Sequence, residues 1–308
     1  MASIRIILHG KAAGDPRLRM AVKDARREGH AIDVRVTWEA GNAAKLTSEA
    51  IRHAQNGEID CIVAGGGDGT INEVFAAAVS ADLPRTCSLG LLPLGTANDF
   101  AHSAGVPAKD IAAALRIATD AVPRWIDLGI LNGRAFVNLV SGGFGSRVTV
   151  ETDPKLKQRL GGLAYAITGI TRYAELSECH GALLADDFSW EGDFLALAIG
   201  NGRYAGGGIP LCPNALMDDG LFEVTILPAL DRAARLDAYS DLLRHGIASI
   251  QNKLITTRTS WIEYQSSHDL HVNLDGEPIT AKKFRVELRH SAVAVRVGET
   301  AALRRLNS

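Results

Sequence analysis

Apolar positions in the first part of the chain keep switching period. Ile4, Ile6, Ile7 and Leu8 form an apolar run that predicts a strand over 4–8. Leu18, Ala21, Val22 and Ala25 then recur at helical spacing. Ahead of them Asp15-Pro16 supplies a cap and a first-turn proline. Residues 31–38 alternate as a strand, and Ala43, Leu46, Ala50 and Ala54 mark a second helix. The pattern continues with a strand over 59–64, a helix over 72–79, a strand over 88–93 and a helix over 110–121. Repeated β-α order predicts a parallel, doubly wound sheet whose ligand-binding loops lie at the carboxyl edge of the strands.

The texture changes near Trp125. Strand-like segments at 136–140, 194–199, 221–227, 270–274 and 284–288 are punctuated by glycines, which predicts a mainly β second domain, a sandwich. Helical patterns interrupt it over 156–173 and 230–243. In the second of these, Leu236, Tyr239 and Leu243 line one face, a stripe expected of core rather than of lipid-binding surface. The expected division is therefore an α/β domain over 1–124 and a β-sandwich over 125–291, with the tail 292–308 returning to the first domain.

The 308 residues give room for two cores, and a formal charge of -2 with a pI near 6.5 leaves no basic footprint for nucleic acid. Cys61, Cys87, Cys179 and Cys212 form no C-x-x-C pair, and the histidines show no ligand spacing, so a zinc site is not expected. Cys61 falls in an apolar run and reads as a buried free thiol. No apolar run approaches the length of a membrane span, and the N-terminal run is too short for a secretory signal. The expected location is cytoplasmic, with contact at a bilayer surface left open.

The candidate chemistry starts where the third strand ends, at Gly65-Gly66-Gly67-Asp68-Gly69-Thr70, followed by Ile71-Asn72-Glu73. No Gly-Lys-Ser/Thr follows, so this is not a P-loop, and Thr70 stands where a dinucleotide fingerprint would have its third glycine. Glycine at a tight strand-to-helix turn is the plain alternative. Three glycines with Asp68 and Gly69 favour a phosphate cradle, in which bare backbone N–H groups and a helix N-terminus meet phosphate oxygens. Asp68 adds a carboxylate for a magnesium ion carried by the nucleotide.

Thr37 and Leu94-Gly95-Thr96-Ala97-Asn98-Asp99-Phe100 fall on the same predicted edge. Further along, Asn273-Leu274-Asp275-Gly276-Glu277-Pro278 admits two readings. Asp-Gly is a strong hairpin signal, and the flanking carboxylates could equally supply a general base. Asn214 through Leu221 is either a plain loop or a seat for a hard cation, formed by one carboxylate and backbone carbonyls. Glycine-dense loops at 142–147 and 200–208 are candidates for lining a cleft between the domains.

Taken in order, the Gly65–Glu73, Leu92–Phe100 and Asn273–Pro278 segments resemble the diacylglycerol kinase catalytic family. Val34-Arg35-Val36-Thr37-Trp38-Glu39, Gly142-Gly143-Phe144-Gly145 and Leu211-Cys212-Pro213-Asn214-Ala215-Leu216 narrow the likeness to bacterial YegS-type lipid kinases. The likeness spans nearly the whole chain and is weakest over 231–260. It implies an N-terminal domain like those of phosphofructokinase and NAD kinase, a C-terminal β-sandwich, and nucleotide in the cleft between them. It also implies ATP and Mg2+ as cofactors and peripheral action at the inner membrane face on a lipid hydroxyl, phosphatidylglycerol first and diacylglycerol second. By position it assigns Thr37, Gly65, Gly66, Gly67, Asp68, Gly69, Thr70, Ile71, Asn72, Glu73 and Thr96 to the nucleotide and Glu277 to proton acceptance. Asp68 would act through magnesium. Leu216, Asp219 and Leu221 would hold a second cation, Mg2+ or Ca2+, with the leucines acting through carbonyl oxygen. An NAD or sugar kinase sharing the glycine loop, and a nucleotide sensor without turnover, are the alternatives.

Overall fold

The computed structural model describes residues 1–143, 178–229 and 252–304. Four strands, β1 (Ser3–His9), β2 (Ala31–Thr37), β3 (Cys61–Gly66) and β4 (Ser88–Pro93), alternate with α1 (Pro16–Arg27), α2 (Asn42–Gln55) and α3 (Asp68–Ser80). The short α4 (Asp99–Ser103) and α5 (Ile111–Asp120) follow. All four strands run parallel in the order β4-β3-β1-β2. Their register sets His9 beside Thr37, Leu8 beside Gly65 and Gly66 beside Pro93. Thr37, the glycines of β3 and the loop after β4 therefore share one sheet edge.

Local chemistry explains the helices. Asp15 accepts the Arg17 N–H at 2.8 Å, Pro16 opens α1, and Leu18, Ala21, Val22 and Ala25 are its buried face, as their spacing predicts. Asp110 caps α5 by accepting the Ala113 N–H at 2.9 Å. Two of these elements are displaced from expectation by two residues or more. The third strand runs from Cys61 through Gly66 rather than over 59–64, and α3 begins at Asp68, four residues before the predicted 72. Glycine composition hides a helical turn here: Gly67 is the extended N-cap, and Asp68, Gly69 and Thr70 already lie in the helix.

The second half is a set of mainly antiparallel strands: β5 (Arg124–Leu131), β6 (Arg134–Phe136), β7 (Leu139–Gly143), β8 (Cys179–Leu184), β9 (Ser189–Gly200), β12 (Phe222–Pro228), β13 (Ile255–Thr259), β14 (Trp261–Leu274) and β15 (Glu277–Val295), with a small separate ribbon of β10 (Tyr204–Ala205) and β11 (Ile209–Pro210). The segments predicted at 270–274 and 284–288 are pieces of β14 and β15. Register shifts between Gln265 and Leu270 and between Arg289 and Val293 break the alternation that would have revealed the full strands. β15 pairs with β14 and β5, and at its end Val295 pairs parallel with Leu89 of β4.

Two cores result. Val293, Val295 and Val297 pack with the parallel strands and α1–α5, whereas Phe136, Phe194, Phe222, Tyr264 and Phe284 fill the second core. There Tyr264 stacks on Phe284 at 4.9 Å and Phe136 on Phe222 at 5.8 Å. Cys61, Cys87 and Cys212 are buried thiols; burial pushes Cys61 up to about 11 and Cys87 up to about 12. Among the described residues no helix is long and apolar enough to cross a membrane. The helical patterns at 156–173 and 230–243, and residues 144–147 of one glycine-dense loop, lie outside the described residues.

Candidate active site

The glycine edge is built where β3 passes into α3. The first intrahelical bond runs from Ile71 N–H to Gly67 carbonyl at 3.1 Å. The N–H groups of Asp68, Gly69 and Thr70 thus belong to the unpaired first turn, where the helix dipole favours anions. Side chains are excluded below it. A Cβ on Gly66 would lie 2.6 Å from Thr70 Oγ1, and one on Gly67 3.2 Å from the Cα of Gly95. A Cβ on Gly95 would in turn overlap Gly67 and approach Asn98 Oδ1 to 2.9 Å. The two loops therefore meet backbone to backbone, fixed by Leu94 N–H donating to Gly66 carbonyl at 2.8 Å. Gly69 is different: a Cβ there would meet nothing within 4 Å, so its face of the first turn is open.

Asn98 shapes the second loop. It adopts a left-handed φ of 53°, which asparagine tolerates, and its amide both accepts from Gly95 N–H and donates to Gly95 carbonyl, each at 2.9 Å. That leaves Thr96 exposed at the tip. Thr37 is buried at the end of β2, with its carbonyl so close to Gly10 that a Cβ there would come within 2.6 Å.

Carboxylates surround the opening. Asp68 Oδ1 accepts the Phe100 N–H at 3.1 Å. Asp99 is buried and accepts the Gly207 N–H at 3.0 Å and the Gly208 N–H at 2.7 Å. Burial raises the Asp99 pKa, the glycine N–H groups oppose the rise, and the charge of Asp68 adds to it. Asp275 accepts N–H groups of Val137 at 2.6 Å, Asn138 at 3.1 Å and Leu139 at 2.9 Å. Its carboxyl is pushed up to about 6, chiefly by burial, with the three N–H groups opposing and Asp68 again contributing. Asp68 thus acts electrostatically on a carboxylate from each half of the chain.

Asp275 and Gly276, at φ 47° and 97°, form the two-residue turn joining Leu274 to Glu277. The hairpin reading of Asp-Gly holds, and the same aspartate also anchors the start of β7. Glu277 opens β15, half-exposed, in an ion pair with Arg134 of β6.

The run 71–73 behaves differently from its neighbours. Ile71 is wholly buried in the core, so only its backbone faces the edge. Glu73 Oε1 accepts the Ala44 N–H at 3.0 Å and caps α2, whose own N-cap, Gly41, has no side chain to do so. Both side chains are thus engaged within the protein, Ile71 in the core and Glu73 on α2. Asn72 is buried with no hydrogen-bond partner on its Oδ1.

Leu216, Asp219 and Leu221 lie in the loop before β12. Asp219 Oδ1 accepts the Leu221 N–H at 3.0 Å, and its carboxylate pairs with Arg258. Gly220, at φ 80°, turns the loop and donates to Asp127 Oδ2 at 2.7 Å. Among the described residues no group of three or more His, Cys, Asp or Glu could hold a metal, so a cation here would rest on one carboxylate and main-chain oxygens. Three contacts escape sequence reasoning: Asp99 to Gly207 and Gly208, Arg134 to Glu277, and Arg203 N–H to Ser103 Oγ at 3.0 Å. Each joins residues 100 or more positions apart, so although Asp99, Glu277 and the 200–208 loop each stand in a segment the sequence singles out, nothing local pairs them with their partners.

Residues 4–131 match the diacylglycerol kinase catalytic domain family, and residues 138–297 match the YegS C-terminal NAD kinase beta sandwich-like domain family. A protein of Pseudomonas syringae pv. syringae named "Probable lipid kinase YegS-like" is 48% identical over 290 residues, covering 94% of this chain and 92% of its own. A protein of the same name from Stenotrophomonas maltophilia is 46% identical, covering 92% of each chain. A crystal structure of a diacylglycerol kinase from Bacillus anthracis superposes with a TM-score of 0.74 over 97% of this chain and 98% of its own, at 22% identity, which shows the shared fold. With both domain families and the length of these relatives matched, the chain belongs to the YegS-like lipid kinases, enzymes that join a diacylglycerol kinase catalytic domain to a β-sandwich-like domain.

Proposed function

We propose that this lipid kinase moves the γ-phosphoryl group of ATP to a hydroxyl of a membrane lipid, phosphatidylglycerol first and diacylglycerol otherwise. The observation that carries the reading is the backbone contact between Gly67 and Gly95 under the open first turn of α3. That floor has no room for a side chain, which is what backbone N–H groups need if they are to meet phosphate oxygens directly. Phosphoryl transfer asks for positioning and charge stabilisation more than covalent chemistry, and the edge supplies both.

In this reading the N–H groups of Asp68, Gly69 and Thr70 hold phosphate oxygens, with Gly65, Gly66 and Gly67 giving them clearance. Thr37 and Thr96 flank the nucleotide, and Asn72 offers its unpaired oxygen beneath it. The chemistry of the donors suits magnesium: Asp68 Oδ1 is engaged by Phe100, and we assign its other oxygen to the ion. Magnesium on the nucleotide would neutralise charge on the phosphates. Glu277 takes the proton of the attacking lipid hydroxyl, and Asp275 holds the turn that aims it. Leu216 and Leu221 carbonyls with Asp219 would seat a second Mg2+ or Ca2+, sharing the carboxylate with Arg258. The acceptor being a lipid, the enzyme works from the cytoplasmic side at the membrane surface.

Transfer of labelled γ-phosphate from ATP to vesicles of phosphatidylglycerol or diacylglycerol tests this. Label on phosphatidylglycerol is expected. Label only on NAD or a sugar, or none on any acceptor, would overturn the lipid assignment.

A further inference from the structure

Trp38 is 88% exposed, whereas the next most exposed aromatic among the described residues, Trp125 at 37%, lies under the Arg85 guanidinium. An indole carries a large apolar face that a folded chain normally covers. Trp38 directly follows Thr37 at the end of β2, and its backbone is held in place. Its N–H donates to Asn42 Oδ1 at 3.1 Å, Asn42 N–H donates to Glu39 carbonyl at 3.2 Å, and Gly41 turns the chain into α2 at φ 79°. The loop is thus built to present this ring at the rim.

Register locates the ring relative to the phosphate cradle. β2 pairs with β1, and β1 with β3, so Thr37 stands two strand spacings from the end of β3, about 10 Å along the sheet edge. On the strand between them, Gly10 follows His9, the partner of Thr37, and packs so closely on the Thr37 carbonyl that no side chain could stand there. A nucleotide with its phosphates on α3 and its ribose over Gly10 and Thr37 brings its base to Trp38. We infer that Trp38 is the platform on which the purine of the nucleoside triphosphate stacks. Stacking reads the π face rather than base edges, so the ring contributes affinity for a nucleoside without selecting adenine over guanine.

This rests on the nucleotide reading above, and the test separates the two. Dissociation constants for MgATP and for inorganic tripolyphosphate would be measured by calorimetry on the full chain with Trp38→Ala and Trp38→Phe. For Trp38→Ala, MgATP is expected to bind roughly 5- to 100-fold more weakly, tripolyphosphate with unchanged affinity, and Trp38→Phe is expected to retain most of the MgATP affinity. Because the ring is exposed, both variants are expected to fold. Unchanged MgATP binding in Trp38→Ala, or an equal loss for both ligands, overturns the platform alone. A wild-type chain that binds neither ligand overturns the nucleotide reading and the platform together. Loss of binding to phosphatidylglycerol vesicles with MgATP affinity intact makes the indole a bilayer contact and also overturns it.

Discussion

Asp99 and Gly208 stand 109 residues apart and are joined by a 2.7 Å hydrogen bond from the Gly208 N–H to the buried carboxylate. Gly207 donates to the same carboxylate, and Gly206, Gly207 and Gly208 all have positive φ. A backbone so unconstrained by side chains depends on Asp99 for its position, while the next residue, Phe100, donates its N–H to Asp68. One short helix thereby couples the glycine loop of the second half to the first turn of α3 in the first.

Asp99→Asn keeps one acceptor oxygen and removes the charge. Hydrogen bonds to charged groups contribute about 1.5–3 kcal/mol, and part of this should survive, so a stability loss of about 1 kcal/mol is expected. Hydrogen exchange should show faster exchange at Gly207 and Gly208, with protection of α3 unchanged. Equal protection at the glycine loop in variant and wild type would show that Asp99 does not hold it.

The glycines of the edge separate into two kinds. Gly95→Ala forces its Cβ against Gly67 and Asn98 Oδ1, so the loops must part; a fall in Tm with loss of nucleotide binding is expected. Gly69→Ala places its Cβ in open space inside a helix, where alanine is favoured by up to about 1 kcal/mol. Tm should hold or rise, yet MgATP affinity should drop because the methyl occupies the phosphate's space. A Gly69→Ala enzyme with normal MgATP affinity would place the phosphates elsewhere.

Much of this was legible in the sequence. The parallel sheet follows from residues 4–121 because each apolar run there is bounded by caps and glycines, as at Asp15-Pro16. The edge position of Thr37, Gly66 and the loop after Pro93 follows from β-α order alone. What stayed hidden was non-local. β15 reads only as the segment 284–288 because a register shift near Arg289 interrupts its alternation; the one local exception is α3, whose first turn is masked by glycines. The turn of Glu73 toward α2 answers a missing cap at Gly41, which no reading of Glu73's own neighbours could supply.

Asp275 makes stability depend on pH. Its carboxyl is pushed up from 3.8 to about 6, first by burial. Between those values the folded state binds the proton more tightly than the unfolded state. The stability contributed by the neutral carboxyl is therefore complete below about pH 4 and lost as pH rises through about 6. A shift of this size corresponds to about 3 kcal/mol. Asp275→Asn cannot titrate, so urea unfolding at pH 4, 5, 6 and 7 should show wild type losing stability relative to the variant across that range. A wild-type-minus-variant difference that is flat with pH would sink the assignment.

Glu277 and Asp275 flank one glycine but sit in opposite environments, and on the proposed reading this favours Glu277 as the proton acceptor. Asp275 accepts three backbone N–H groups and is buried. Glu277 is half-exposed, and its partner Arg134 is equally accessible, so the pair contributes little to stability. Glu277→Gln should leave Tm and MgATP affinity near wild type. It should lower kcat for lipid phosphorylation by about 10²–10⁴-fold, the usual range for a general base. Single-turnover transfer to phosphatidylglycerol vesicles reads that step directly. Near-normal single-turnover rates in Glu277→Gln would transfer the role of proton acceptor to another group at the mouth of the cleft.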